Sequence, residues 1–395
     1  MSEFRSFDVD RAYREIEALN YPRRIGTPGE VRAARHVRTT FSQAGLDVAI
    51  ERFSVAFKAR ELANMLTFAT GAALVALGWL GATSRPWSSV FCWALAGYLV
   101  NAPWRLTHLL ERRRLNGRRS RNLLASLPEA AFESASRIVF MAHYDSKSQL
   151  LPTGLRVGFV IVARISCWFL AALGLFSLLS PGRIGLIGFL FPAGIAILAF
   201  LCLMVNLTGN RSPGALDNGS GLGTLLELAR SWRPRPDAPA EVVWVATGAE
   251  EVGLDGARDF LARYQWWWLE KPTLLINLES LGSGHRVGLS GHTMAVRLAE
   301  DIAAPLGIPT ARFGIVGAGM DHQPFATQGL PALSLLGDVI GRSLDLHSPR
   351  DRIGRIDRAA LERAGRLASE LAWAWAARQQ ADSANLEPAR PLVES

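Results

Sequence analysis

Most of this chain carries its apolar residues at the spacing of amphipathic helices or of strands, but two stretches break that pattern. From 63 to 104 (ANMLTFATGAALVALGWLGATSRPWSSVFCWALAGYLVNAPW) and from 157 to 207 (VGFVIVARISCWFLAALGLFSLLSPGRIGLIGFLFPAGIAILAFLCLMVNL), apolar positions run almost without interruption. Each stretch divides at a proline-containing turn, near Arg85-Pro86 and Ser180-Pro181-Gly182. Each half approaches the roughly 20 apolar residues that cross a bilayer core. The pattern predicts two membrane hairpins, four spanning helices in all. Arg164 is read as the start of the third span, at the interface, with its head group snorkelling to water.

With the hairpins set aside, periodicity alternates between strand and helix. An amphipathic helix over DRAYREIEALN leads through the turn PRRIGTPGE to a second helix, EVRAARHVRTTFSQAG, which stops at Gly45. Strands are predicted at LDVAIERFSV, RNLLASL, SRIVFMAHY, EVVWVATG, TLLINLES and PALSLLG, with helices such as GSGLGTLLELARSW and ARDFLARY between them. Alternation of this kind argues for an α/β fold, a mixed central sheet flanked by helices, interrupted by the two transmembrane hairpins. The expected division is 1–61 for the start of the globular part, 62–104 for the first hairpin, 105–155 for its continuation, 156–207 for the second hairpin, 208–380 for the remainder and 381–395 for a flexible tail.

Charge changes the picture in one respect. The formal net charge is +8, and it comes almost wholly from arginine, since the only lysines are Lys58, Lys147 and Lys271. The spacings of common nucleic-acid modules are absent, which excludes nucleic acid as the expected partner. Much of the arginine instead flanks the apolar runs: Arg60 with Lys58 before the first, Arg105, Arg112, Arg113, Arg114, Arg118, Arg119 and Arg121 after the second, Arg156 before the third and Arg211 after the fourth. The hairpin tips offer only Arg85 and Arg183. The positive-inside rule then places the polar part in the cytoplasm and makes the chain a multi-pass protein of a bacterial-type inner membrane. The N-terminal MSEFRSFDVD lacks the features of a secretory signal. Cys92, Cys167 and Cys202 all lie in apolar runs without metal-ligand spacing.

In open α/β sheets, active groups gather beyond the carboxyl ends of the strands. There the sequence places His143 and Asp145 after SRIVFMA, Asp217 just before a helix, Glu250 and Glu251 after VVWVATGA, and Glu279 at the end of LLINLE, while His347 and Asp351 follow in SLDLHSPRD. Two imidazoles among several carboxylates suit Zn²⁺ better than an all-oxygen ion. The adjacent pair Glu250-Glu251 raises its own question, because two like charges at the end of a buried strand need a cation or hydrogen bonds to compensate them.

The ordered segments His143-Tyr144-Asp145, GALDNGSG (214–221), EEVGL (250–254), Asn277-Leu278-Glu279 and His347 resemble those of the M28 zinc aminopeptidases. PRRIGTPGE, RNLLASL and MDHQPFATQGLPAL (320–333) add to the resemblance, which covers nearly the whole chain outside the hairpins. It implies a peptidase of α/β fold with two zinc ions per chain. His143, a bridging Asp217 and Glu279 would hold one; Asp217, Glu251 and His347 would hold the other. Glu250 matches the general base, which takes a proton from water and delivers it to the leaving nitrogen. Asp145 would orient His143, and Asp321 and His322 would stand on the substrate side. The family usually has Asp where Glu279 stands, which implies a weaker His143/Asp217/Glu279 site.

The second hairpin separates His143 from Asp217, so both of its ends lie near the ligands and the mouth of the site is expected to face the bilayer. The expected substrate is a peptide or an acylated, amphipathic amide; the expected surroundings are lipid, and self-association stays open. Three functions compete: a membrane-embedded aminopeptidase, a mononuclear glutaminyl-cyclase-like or N-acyl amidohydrolase enzyme using Asp217, Glu251 and His347, and a noncatalytic membrane scaffold on a peptidase fold.

Overall fold

A computed structural model of the chain describes residues 7–100, 118–127, 134–233, 239–314 and 319–386. Its frame is an eight-stranded sheet in the order β1-β2-β6-β3-β7-β10-β8-β9. The strands are β1 (Asp47–Val55), β2 (Arg118–Ser126), β3 (Arg137–His143), β6 (Glu241–Thr247), β7 (Thr273–Glu279), β8 (Val287–Gly291), β9 (Thr310–Arg312) and β10 (Ala332–Leu336). A separate two-stranded ladder joins β4 (Ser148–Gln149) to β5 (Thr208–Gly209). The middle four strands, β6, β3, β7 and β10, are mutually parallel, whereas β2 and β8 join them antiparallel. The sheet is therefore mixed, as expected. Parallel pairing has the consequence that matters here: β3, β6, β7 and β10 all end at the same edge.

Alternation along β3 shows how the sheet is clad. Ile138, Phe140 and Ala142 face a core built with α1 (Val9–Ala18), α2 (Pro28–Gln43), and the later helices α7 (Gly221–Ser231), α10 (Thr293–Ala303) and α12 (Arg358–Leu386). Val139 and Met141 face the opposite core, with Ala257, Phe260 and Leu261 of α8 (Asp255–Tyr264) and Phe325 of α11 (Gln323–Ala326). Both faces are covered, which is why these strands read as unbroken apolar runs. Of the triple tryptophan, Trp267 and Trp268, at the start of the short helix α9 (Trp267–Glu270), pack against the second core. The Arg137 guanidinium sits 4.4 Å over the Trp267 ring. Trp266 is half exposed.

The hairpin helices are α3 (Phe57–Gly81), α4 (Pro86–Leu99), α5 (Thr153–Leu179) and α6 (Leu186–Met204). Three of them, α3, α5 and α6, are long and apolar enough to cross a membrane. The fourth expected span, α4, is shorter in the structure, and residues 101–104 of that hairpin lie outside the described residues, as do Arg105 and Arg112–Arg114. The four helices pack on one another through small residues. Gly78 and Gly174 leave room for Trp93, whose indole N–H donates to the Val75 carbonyl at 3.3 Å, and Phe189 stacks on Trp93 at 5.3 Å. Small residues let backbones approach where no water-driven collapse operates. Outward, Leu80, Trp87, Phe91, Ile165, Leu179, Ile187 and Phe191 are mostly exposed. Exposed apolar surface of this kind marks a contact with lipid or with another protein.

Two boundaries differ from the sequence reading. Helix α5 begins at Thr153, three residues before the expected hairpin boundary of 156, so Arg164 lies three turns inside the helix and not at its start. Helix α12 runs to Leu386, past the limit of 380 set for the tail, because 377–386 (ARQQADSANL) carries no glycine or proline to break it; 387–395 lie outside the described residues.

Candidate metal centre

Because the central strands are parallel, their ends deliver side chains to one place. His143 is the last residue of β3, Glu279 the last of β7, and Glu250 and Glu251 open the turn after β6. Asp217 comes from an irregular turn, Ala215–Ser220, that feeds α7. His347 lies in the long connection between β10 and α12. Several flanking backbones are held in the left-handed region that non-glycine residues avoid: Ala249 at φ 60°, Ser280 at φ 50° and His347 itself at φ 58°. Such conformations persist only where the surroundings impose them, and they cluster at functional sites.

The turn bearing Asp217 is fixed from three sides. Asp351 accepts from the Leu216 amide at 2.6 Å and from the Asp217 amide at 3.2 Å. The Asn218 side chain donates to Leu278 O at 2.8 Å and accepts from the Ser280 amide at 3.0 Å. A Cβ at Gly221 would collide with Leu278 O and Asn218 Oδ1, so glycine is required there. Fully buried Arg23, from the early PRRIGTPGE segment, donates to Tyr144 O at 2.9 Å, Gly214 O at 2.9 Å and Pro213 O at 2.5 Å, and also to Leu19 O. It thereby clasps the backbone beyond His143 to the backbone before Asp217.

The five predicted ligands form two overlapping groups, His143/Asp217/Glu279 and Asp217/Glu251/His347, each with its ligand atoms within 4.8 Å of one another. Asp217 is common to both. Its Oδ1 lies 3.3 Å from His143 Nε2 and its Oδ2 lies 3.1 Å from His347 Nε2. Glu279 Oε1 is 3.4 Å from His143 Nε2, and Glu251 Oε2 is 3.0 Å from His347 Nε2. Glu250 stands beside the first group, with Oε2 3.7 Å from His143 Nε2. The longer Glu279 side chain thus faces the same imidazole nitrogen as Asp217, and its other oxygen takes an N–H from Asn277 at 3.4 Å.

Asp145 divides its work in a way the sequence did not reveal. His143 Nδ1 meets the Asp145 backbone carbonyl at 3.1 Å, while the Asp145 carboxylate is 3.7 Å away. That carboxylate instead accepts from the amides of Glu250 at 3.2 Å and Glu251 at 3.3 Å, which fixes the turn presenting the glutamate pair. Lys147, which sequence reasoning passed over, donates to Glu251 Oε2 at 2.9 Å and to Glu251 O at 2.7 Å. Its signal was its rarity, as one of the three lysines, two residues past Asp145. Asp321 accepts from the Thr247 hydroxyl, and His322 Nδ1 lies 2.6 Å from Ser334 Oγ; both side chains are buried.

Electrostatics separates the two adjacent glutamates. Burial, then the nearby Glu251, Glu279 and Asp321 carboxylates, push Glu250 well above the ordinary glutamate range against the pull of His143. Burial and Asp217 also oppose charge on Glu251, but His347 and Lys147 outweigh them and hold its carboxyl low. Burial works against Asp217 too, yet hydrogen bonds from His143 and His347 hold it well below its usual value. Burial raises Glu279, with Asp217 adding to it. So many buried carboxylates around two imidazoles constitute a donor set suited to divalent cations, and the mixed nitrogen and oxygen chemistry suits zinc.

A cavity of about 590 Å³ opens on the centre. Asp217, Glu250, Glu251, Glu279 and His347 line one side, while Val157 and Ile161 of α5, together with Met320 and Val339, supply apolar wall. A membrane-type helix therefore forms part of the pocket itself. Gly319 and Met320 belong to the lining, and Asp321 and His322 follow them in the chain.

Burial depresses His322 to about 4, which gives a stability prediction. The unfolded ring, with its ordinary pKa near 6.5, takes up a proton that the folded ring refuses. The contribution is complete above about pH 6.5 and is lost as pH falls from there toward about 4, by up to about 1.4 kcal/mol per pH unit. Thermal melts at pH 7 and pH 5 should show a smaller acid-induced drop for His322→Gln than for the natural chain; an equal drop contradicts the assignment.

Comparison with known proteins agrees with this geometry. Residues 122–372 match peptidase family M28. A curated relative, aminopeptidase YwaD of Bacillus subtilis (strain 168), is 30% identical over 167 residues, which is 40% of this chain and 36% of that protein. The chain thus matches little more than a third of that relative's length. Among solved structures, a zinc aminopeptidase from Bacillus subtilis superposes with a TM-score of 0.58 at 15% identity, covering 93% of this chain and 95% of that one. An aminopeptidase from Aneurinibacillus sp. strain AM-1 gives 0.57 at 15% identity, covering 99% and 97%. A glutaminyl cyclase from Fimbriiglobus ruber gives 0.54 at 15% identity, covering 96% and 97%.

Proposed function

The chain belongs to peptidase family M28, and from that premise we propose that it is a zinc metallopeptidase, a membrane-embedded aminopeptidase that binds two zinc ions per chain. The observation that carries the reading is Asp217, whose two oxygens each face a different histidine nitrogen, at 3.3 and 3.1 Å. One carboxylate so placed serves two cations, with His143 and Glu279 completing one site and Glu251 and His347 the other. Bound zinc supplies polarisation of a water and of the scissile carbonyl.

The protein's own residues do the rest. Glu250 points into the cavity without belonging to either ligand group, so its carboxylate is free to accept a proton from the attacking water at Oε2. The same oxygen then returns that proton to the amine as it leaves. Asp145 and Lys147 keep the neighbouring Glu251 turned toward His347, which separates ligand from base within one dipeptide. Asp321 and His322, which follow Met320 of the cavity wall, are tied to Thr247 of β6 and Ser334 of β10. Val157, Ile161 and Val339 suit an apolar side chain or acyl group, and the α5 wall favours substrates that approach along the bilayer, as amphipathic peptides do.

The same donors could serve a mononuclear cyclase through Asp217, Glu251 and His347 alone. His143 favours the dinuclear reading, since it directs Nε2 at Asp217 and Glu279. The test is a zinc assay on the purified chain in nanodiscs, paired with hydrolysis of an amino-acid anilide before and after chelation. Two zinc equivalents, with activity lost to chelator and restored by Zn²⁺, are expected. One equivalent with pyroglutamate product establishes the cyclase, and a stable chain with neither zinc nor turnover establishes a scaffold. Higher turnover of a membrane-anchored peptide than of its soluble counterpart is expected from the α5 wall, and preference for an N-acylated substrate overturns the aminopeptidase reading. The arginine distribution favours a cytoplasmic catalytic part, and a reporter fused at Glu3 that is active only outside the inner membrane refutes that orientation.

A further inference from the structure

The second hairpin is joined to the metal centre by more than proximity. Thr153, the first residue of α5, places Oγ1 2.9 Å from His347 Nδ1. Gln149, in the short strand β4 at the base of the hairpin, places Oε1 3.1 Å from the same nitrogen. Backbone bonds lash the two segments together: Gln149 N to His347 O at 2.9 Å and Gly154 N to Ser343 O at 2.8 Å. Below them, β4 pairs with β5, so the chain entering α5 and the chain leaving α6 are tied at their feet. Leu151 N also donates to Asn206 Oδ1 at 2.8 Å.

These contacts bear on chemistry because of what lies on the other side of the ring. His347 Nε2 faces Asp217 and Glu251 at 3.1 and 3.0 Å. An imidazole that offers Nε2 to a metal carries its proton on Nδ1, and the acceptor there fixes both tautomer and ring orientation. The backbone of His347 is itself held in the left-handed region, at φ 58°. His143 differs: its Nδ1 partner is the carbonyl of Asp145, two residues along its own strand end. One histidine is thus oriented locally and the other by the foot of a membrane hairpin.

We propose that Thr153 and Gln149 are positioning residues that set the ring of His347, so that the seating of the second hairpin governs the hold on one zinc ion and not the other. The inference rests on the dinuclear reading given above. It makes the hairpin a structural part of one metal site, and it makes the two sites unequal in a direction opposite to that implied by Glu279: the Asp217/Glu251/His347 site is the one sensitive to the membrane segment.

The test is chelator competition on the full chain in nanodiscs, following each zinc equivalent, for the natural protein, Thr153→Val, the double variant Gln149→Leu/Thr153→Val, and Thr153→Ser. Removing both acceptors should weaken one equivalent by about 10–100-fold, the range found for lost outer partners of metal-bound histidine, and leave the other unchanged. Thr153→Ser should retain natural affinity, because it keeps the hydroxyl. The melting temperature of the metal-free protein should stay the same in Thr153→Val, which separates positioning from folding. Natural affinity at both sites in the double variant overturns the proposal, as does equal weakening of both with a lowered metal-free melting temperature. A natural chain that takes up no zinc overturns the dinuclear reading itself, an outcome distinct from these.

Discussion

Glu250→Gln should leave zinc content unchanged and lower anilide hydrolysis by roughly 10²–10⁴-fold, the usual contribution of a positioned acid–base group. Glutamine keeps the size of the side chain and the Glu250 amide that donates to Asp145, so the turn stays built. It loses only the ability to accept a proton. The environment of Glu250 supports the role: burial and three neighbouring carboxylates raise its pKa, which makes it a stronger base than an ordinary glutamate. A base acts in its deprotonated form, so activity is present above its pKa and lost as pH falls through it. The acid limb of kcat/KM should therefore lie above the ordinary glutamate value of about 4.3, with bound cations pulling it back. Full turnover in Glu250→Gln, or loss of zinc, would remove Glu250 from the role of base.

Asp217→Asn should have the broadest effect, because one side chain is shared. An amide presents one oxygen and one N–H₂ group, so it cannot turn acceptors toward both His143 and His347. Zinc content is expected to fall from two equivalents to less than one, and anilide turnover by at least about 10³-fold, on the order of the electrostatic contribution of such centres. His143→Ala provides the contrast, since it removes a donor from one group alone and should release one ion. If Asp217→Asn keeps both ions, Asp217 does not bridge, and the two groups are independent sites.

The strand ends were readable in advance because they rest on local pattern. The unbroken apolar runs before His143, Glu250 and Glu279 mark buried strands, and the carboxyl ends of such strands are where an open α/β sheet gathers its active groups. The edge strand β9 and its neighbour β8 carry no such signal: β8 has five residues, two of them glycine, and β9 has three, too short for periodicity to register. Helix α12 was not singled out either, since its apolar stripe is diluted by charged residues. What the sequence could not reveal are contacts across long separations. Arg23 reaches Pro213 and Gly214, Thr153 reaches His347, and Asp351 grips the amides beside Asp217. Each residue looks ordinary where it stands, and only folding discloses its partner.

The Arg23 clasp joins segments made far apart in time. During synthesis the arginine emerges first, then the first hairpin, then His143, then the second hairpin, and only afterwards the carbonyls of Pro213 and Gly214 that Arg23 holds. His143 and Asp217 cannot meet until the intervening helices have come back on themselves and β4 has paired with β5. The ligand set is therefore incomplete until the chain beyond the second hairpin, which brings Asp217, Glu251, Glu279 and His347, has been made. A chain stopped before that point carries one of the five candidate ligands, His143.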